Sequence, residues 1–192
     1  DKPVRHMREY LAALVPLCAG QEVSFSGETV TARGAIRIEG APPVPVMVAA
    51  LGPAMLKAAA ELATGTITWM TGAKTLAEHT VPTLTAAADA AGTGAVRVVA
   101  TLPVAVTKDV DAARERAARV FAVYDQLPSY RAMLDREGAG GPADVAIVGD
   151  EATVRAEVER LRSAGVTDFV ASEFSSDPGV IAETRAVLKS LV

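Results

Sequence analysis

The sequence is short of the residues that carry chemistry on their own. It has one cysteine, Cys18, which excludes an intramolecular disulfide framework and a cysteine-rich zinc site. A lone thiol fits a reducing compartment. The two histidines, His6 and His79, stand in neither an H-x-x-H nor an H-E-x-x-H pattern, so no metal site is expected. His79 falls mid-helix beside Glu78, and neighbours on a helix do not face each other, so both histidines are expected on the surface. Positive charge is not in excess. Lys and Arg number 19 against 23 Asp and Glu, a net charge of −4, which argues against nucleic acid as the partner. Long apolar runs are also missing. The longest uncharged stretch, residues 40–56, is interrupted by Pro42, Pro43, Pro45 and Pro53 and cannot be one spanning helix. The start shows no signal-peptide pattern. The reading is a soluble, cytoplasmic protein with no membrane partner.

What is present is a globular composition. Of 192 residues, 50% are hydrophobic and 22% charged, enough for one domain with a core of its own. Met7, Tyr10, Leu11, Leu14, Val15 and Cys18 recur at three and four, which predicts a helix over 4–19 stopped by Gly20. Residues 20–44 read as an excursion of short strands and turns, punctuated by Gly27, Gly34 and Gly40. Residues 45–51 form a continuous apolar run of strand length, and Pro53 opens a helix to 63. With a second strand at 66–70 this makes a βαβ unit.

The alternation continues. A helix over 74–91 has Pro82 as a kink or break, and a strand covers 96–106. A helix capped by Thr107 or Asp109 runs through Tyr124 to a break at Leu127-Pro128-Ser129, with Arg114, Arg116 and Arg119 as its solvated face. A short helix at 130–136, a loop at 138–142 and a strand-like 145–148 follow. Asp150 then caps a helix that Gly165 stops, a strand covers 167–171, and Asp177-Pro178 opens the last helix. Apolar strands alternating with amphipathic helices mean an α/β fold with a parallel sheet, either doubly wound or part of a (β/α)8 barrel. No G-x-G-x-x-G follows a strand, which weakens the dinucleotide-binding option.

In such folds ligand groups gather at the C-terminal ends of strands. Ala50, Leu51, Gly52 and Pro53 end the first of these strands, with Ala54 and Met55 at the helix start. Free N–H groups and the helix dipole there favour an anion; a plain strand-to-helix turn is the alternative. Trp69, Met70 and Thr71 end the next strand, where Trp69 either stacks on a cofactor or fills core. Ser172, Glu173 and Phe174 end the last one. Glu173 either bonds a ligand hydroxyl or acts as an acid, or is a solvated turn carboxylate. Tyr124, Ser129, Tyr130 and Arg131 surround the break at Pro128, as a lid, a partner surface or core packing.

The segment from Val46-Met47-Val48-Ala49-Ala50-Leu51-Gly52-Pro53-Ala54-Met55 through Ala59-Ala60-Glu61-Leu62-Ala63-Thr64-Gly65 to Thr66-Ile67-Thr68-Trp69-Met70 resembles a motif of the luciferase-like monooxygenase superfamily. Met7-Arg8-Glu9-Tyr10-Leu11 with Gly20, Val23, Phe25 and Gly27 resembles its opening stretch. Leu102 to Thr107 with Ala112-Ala113-Arg114, and Val148-Gly149-Asp150 with residues 164–169, resemble its later units. Thr64 stands where that family usually has Asp. The details are most similar to the coenzyme F420-dependent branch.

The resemblance implies a (β/α)8 TIM-barrel type, of which residues 1–192 hold about the last four βα units as a single α/β domain. About 100 further residues are expected before Asp1, since a full barrel needs eight units. It implies an oxidoreductase that transfers a hydride between a deazaflavin, coenzyme F420, and a small organic substrate. The alternatives are an FMN-dependent monooxygenase or a non-catalytic half-barrel assembly module. Ala50, Leu51, Gly52, Pro53, Ala54, Met55, Trp69 and Met70 would contact the cofactor, the phosphate lying at the Gly52 turn. Thr71, Ser172 and Glu173 would line the substrate pocket. A homo-oligomer, or pairing with the missing half-barrel, is expected because open sheet edges are a liability.

Overall fold

The computed structural model describes residues 2–191. The element order is α1 (Pro3–Cys18), β1 (Glu22–Ser26), β2 (Thr31–Ala35), β3 (Val48–Ala49), α2 (Pro53–Leu62), β4 (Gly65–Trp69), α3 (Ala73–Thr75), a π-helical turn (Leu76–Thr80), α4 (Val81–Ala91), β5 (Arg97–Val106), α5 (Val110–Val120), α6 (Ala122–Asp125), α7 (Pro128–Glu137), α8 (Pro142–Val145), β6 (Ile147–Gly149), α9 (Glu151–Ser163), β7 (Asp168–Glu173) and α10 (Pro178–Lys189). The chain divides into two compact units. One is the chain up to Thr66 with Thr83–Arg97; the other is Ile67–Pro82 with the chain from Val98 on.

In the first unit α1 packs on α2 and on the hairpin β1–β2. Leu11 of α1 and the Leu56, Ala58, Ala59 and Ala60 run of α2 are buried, and Arg8 pairs with Glu61 at 2.5 Å. The hairpin is antiparallel, Glu22 opposite Ala35 and Ser26 opposite Thr31. Its turn is held by one carboxylate. Glu9 accepts from the N–H groups of Glu28 (3.1 Å), Thr29 (2.6 Å) and Val30 (3.0 Å) and from Thr29 Oγ1 (2.7 Å). Gly27 makes room for it, because a Cβ there would stand 2.5 Å from Glu9 Oε2. Glu9 and Gly27, two letters of the opening motif, are thus one device.

The expected strand at 45–51 shrinks to Val48–Ala49. Pro42, Pro43 and Pro45 have no N–H to give a ladder, which delays its start. Two threonines, Thr64 just before the following strand and Thr66 within it, complete the attachment. Thr64 donates to Val46 O (2.9 Å) through Oγ1, and Thr66 Oγ1 to Val48 O (2.9 Å) and Ala50 O (3.3 Å). Gly65 is obligatory for a second reason: its φ is +150°, and a Cβ would lie 2.0 Å from Arg97 O.

In the second unit the rest of β4 neighbours β5, and Thr68 Oγ1 donates to Val99 O at 3.3 Å. β5 pairs in parallel with β7, Val99 opposite Asp168 and Val104 opposite Glu173, and its last residues pair in parallel with β6. From Val98 to Val106 all but Thr101 are buried, as a strand covered on both faces requires. Leu134, Val154 and Leu161 close the helical side, each contributing about 1.5–3 kcal/mol by burial.

Several local expectations change here. Pro82 does not break its helix. Having no N–H, it leaves a carbonyl without its usual donor, and the backbone widens so that Val81 N–H bonds to Leu76 O. His79, within that turn, is buried, 8% exposed, not on the surface. Pro128 opens α7 rather than only ending a helix, and the helix expected to run through Tyr124 stops at Val120, with the short α6 after it. Val145 belongs to α8, wound by Asp144, whose carboxylate accepts from Gly140 N–H (2.7 Å) and Gly141 N–H (3.2 Å). Of the three arginines expected on a solvated face, Arg114 donates to Ala143 O (3.0 Å) and Arg116 to Phe174 O (2.6 Å), both half-buried. Arg119 alone of the three is exposed.

Candidate functional site

The anion turn expected at residues 50–55 lies in the first unit. Ala50 is buried, Leu51 half-buried, and Gly52, Pro53 and Ala54 are exposed. Gly52 is the N-cap of α2 at φ −80° and ψ 153°, ordinary extended backbone, and Pro53 takes the first helical position. Gly52 O accepts from Met55 N–H (3.1 Å) and Leu56 N–H (2.9 Å). No side chain caps the helix and no acidic residue stands in its first turn. A Cβ on Gly52 would meet nothing within 4 Å, so openness, not unusual backbone, is what this turn offers. An uncapped helix start with open space before it suits an anionic group.

The second set lies in the other unit, at the end of β4. Trp69 is half-buried and stands edge-on to Phe121 (centroids 5.7 Å apart, 75°) and Tyr124 (5.8 Å, 72°). Its indole N–H is buried and meets no acceptor among the described residues. Met70 follows at φ +54° with its side chain wholly buried. A non-glycine residue there is strained, and such strain gathers at sites that use it. Thr71 is also buried and donates to Trp69 O at 3.3 Å. The loop then enters α3, where Glu137 accepts from Lys74 N–H (3.2 Å) and Thr75 N–H (2.7 Å). Gly72 permits this, since its Cβ would come within 2.3 Å of that carboxyl carbon. Gly72 and Ala73 border a cavity of about 390 Å³ that Arg114, Glu137 and Arg160 also line.

At the end of β7, Ser172 is half-buried opposite Pro103, and Glu173 opposite Val104. Glu173 is not a solvated turn carboxylate. Both its oxygens accept from Arg185 Nε, at 2.8 and 2.9 Å. Phe174 is buried against Phe121, centroids 5.7 Å apart, and Tyr124 meets Tyr130 at 4.9 Å. An aromatic chain thus runs Tyr130–Tyr124–Trp69–Phe121–Phe174 and brings the ends of β4 and β7 together. Burial raises the Tyr130 hydroxyl above its ordinary value, with Tyr124 a smaller cause. Of the residues expected at the Pro128 break, both tyrosines are in this packing. Arg131 is held by Asp125 and Asp135 and by the carbonyls of Ala139 and Gly140. Sequence reasoning missed Glu137 and the backbone of Met70; neither leaves a pattern in the letters around it.

Among the described residues, no helix is long and apolar enough to cross a membrane. Comparison with known proteins gives a consistent picture. The family model for luciferase-like monooxygenases matches residues 1–168. A 5,10-methylenetetrahydromethanopterin reductase from Methanolobus tindarius is 28% identical over 176 residues, which is 91% of this chain and 53% of that protein. The coenzyme F420-dependent tetrahydromethanopterin reductase of Methanopyrus kandleri superposes with a TM-score of 0.72 at 25% identity, covering 96% of this chain and 60% of that one. An F420-dependent secondary alcohol dehydrogenase, solved with an F420–acetone adduct, gives 0.74 at 22%, covering 97% and 62%. The chain therefore spans little more than half the length of these proteins. The α/β fold with a parallel sheet is that of TIM-barrel enzymes.

Proposed function

Because this chain belongs to the luciferase-like monooxygenase family, we propose that it is the C-terminal part, about the last four βα units, of an F420-dependent oxidoreductase acting on a small organic substrate. The observation that carries the reading is the end of β4, where a buried indole N–H without an acceptor adjoins the strained backbone of Met70. An orphaned donor beside stored strain is what a site completed by a ligand leaves behind. Deazaflavin, when bound, supplies the hydride chemistry. The residues present fit such a group: half-buried Trp69 offers an aromatic face and one donor, and Met70 the turned backbone beside it. In the first unit, the open start of α2, from Ala50, Leu51, Gly52 and Pro53 to Ala54 and Met55, offers backbone N–H groups that suit a phosphate.

Thr71 and Ser172 supply hydroxyls to the substrate side. Glu173 contributes there as half of an ion pair with Arg185, not as a free acid. The free Cys18 fits a cytoplasmic setting. Trp69 is the one tryptophan of the chain, so its fluorescence reports the site directly. Titration with F420 is expected to quench it saturably, and Trp69→Phe, titrated by calorimetry because it lacks the reporter, to bind roughly tenfold more weakly for a lost buried hydrogen bond. Saturable binding of FMN with none of F420 would move the protein to the FMN branch; binding of neither overturns the reading.

A further inference from the structure

A cavity of about 310 Å³ in the second unit opens beyond the ends of β5 and β7, between the starts of α5 and α10, away from the residues assigned above. Two arginines of α5 line it, Arg116 and Arg119. Arg116, like Arg114, is a half-buried guanidinium whose bond is to a backbone carbonyl, and of the two it is Arg116 that lines this cavity. Arg5, Arg8, Arg131, Arg155, Arg160, Arg162 and Arg185 all pair with carboxylates. Half-buried Arg116 is instead held through Nε by the carbonyl of Phe174, at 2.6 Å. That bond fixes the plane of the guanidinium and leaves its two terminal NH2 groups, the fork that grips an oxyanion. A half-buried cation whose protein partner is a neutral carbonyl calls for a charge.

The rest of the lining is consistent. Thr107, Ser175 and Ser176 bring hydroxyls to the same space. Its two carboxylates are turned to backbone: Asp109 accepts from Ala112 N–H (3.2 Å) and Asp177 from Gly179 N–H (2.7 Å). Arg119 has only a loose, exposed pairing with Glu115 at 3.7 Å and is free to swing in. The space beyond the ends of parallel strands is also where α/β folds of this kind take up ligands.

We propose that this cavity binds a phosphate group, Arg116 clamping two oxygens and Arg119 closing over it. A volume of about 310 Å³ exceeds what the ion alone fills, so the favoured ligand is a small phosphomonoester. This proposal is independent of the cofactor reading.

The test is calorimetric titration of the protein with inorganic phosphate and with phenyl phosphate. Saturable binding is expected for both, tighter for the ester; binding of the inorganic ion alone would assign the site to free phosphate. Arg116→Gln is expected to weaken binding by at least about tenfold and Arg119→Gln by a few-fold. Asp109→Asn keeps an acceptor for Ala112 N–H but removes a charge, so it is expected to tighten binding, a change that a merely structural role would not produce. Arg155→Gln, an exposed arginine elsewhere, is expected to change nothing. The proposal is overturned by absence of saturable binding, or by equal loss in Arg155→Gln. If Arg116→Gln does not fold, the decision rests on the opposite shifts expected of Arg119→Gln and Asp109→Asn, and their absence overturns it.

Discussion

Glu9 shows how much one side chain can fix. Four hydrogen bonds from a single turn fall on its carboxylate. Those bonds, that of the Thr29 hydroxyl foremost, hold its pKa at about 2. A folded pKa below the unfolded one stabilises the fold above the unfolded value, and the gain is lost as pH falls through the folded value. The docking of the hairpin on α1 is therefore expected to loosen between about pH 4.5 and pH 2. Hydrogen exchange at Glu28, Thr29 and Val30 checks this, and Glu9→Gln should already be loose at neutral pH. Gly65 is a second such residue. Gly65→Ala forces a side chain into φ +150° and against Arg97 O, and it should cost about 3 kcal/mol or more in chemical denaturation. The place of Gly65 is legible in the letters, as the break between helix and strand. Its reason is not, since Arg97 lies far along the chain.

Among the elements, those with a strong local signal are readable and those shaped by distant partners are not. The caps Asp109, Asp150 and Asp177 all act as their positions suggest, each accepting from an N–H two or three residues on. Asp109→Ala should cost about 1 kcal/mol through α5, and Leu161→Ala, at a site only 2% exposed on α9, about 2–5 kcal/mol, both measured by urea unfolding. By contrast β3 is shorter than its apolar run because three prolines precede it. The π turn lets the helix run on through Pro82 where a kink or break was expected, and His79 within it is buried. Composition said nothing of either outcome, because each depends on which hydrogen bonds the backbone can still make. The candidate site divides in the same way. Trp69 and the Gly52 turn stand out as letters, whereas Arg116 reads as one more surface arginine until the carbonyl of Phe174 is seen beside it.

For the molecule as a whole, the parallel α/β alternation was plain in the sequence, and the family match extends over most of it. In the second unit Ile67 of β4 and Val170 of β7 remain 38% and 45% exposed, large apolar side chains on strands that would ordinarily be covered. We propose that a second copy of this chain covers them. Light scattering is expected to give about twice the 19.8 kDa of one chain; a monomer that fails to bind an apolar dye would count against the pairing.

The two glutamate–glycine pairs, Glu9 with Gly27 and Glu137 with Gly72, carry a consequence for descent. Each carboxylate fills the space that a methyl group on its glycine would need. A lineage that keeps the acid is therefore tied to the glycine; once the acid is lost, the atoms nearest a Cβ at Gly72 go with it, while at Gly27 the Phe25 ring, 2.9 Å from a Cβ, must still give way. The order of steps is forced, acid first and glycine second, so each pair should drift through related sequences as a unit. The double change Glu9→Ala with Gly27→Ala should then be milder than the sum of the two singles.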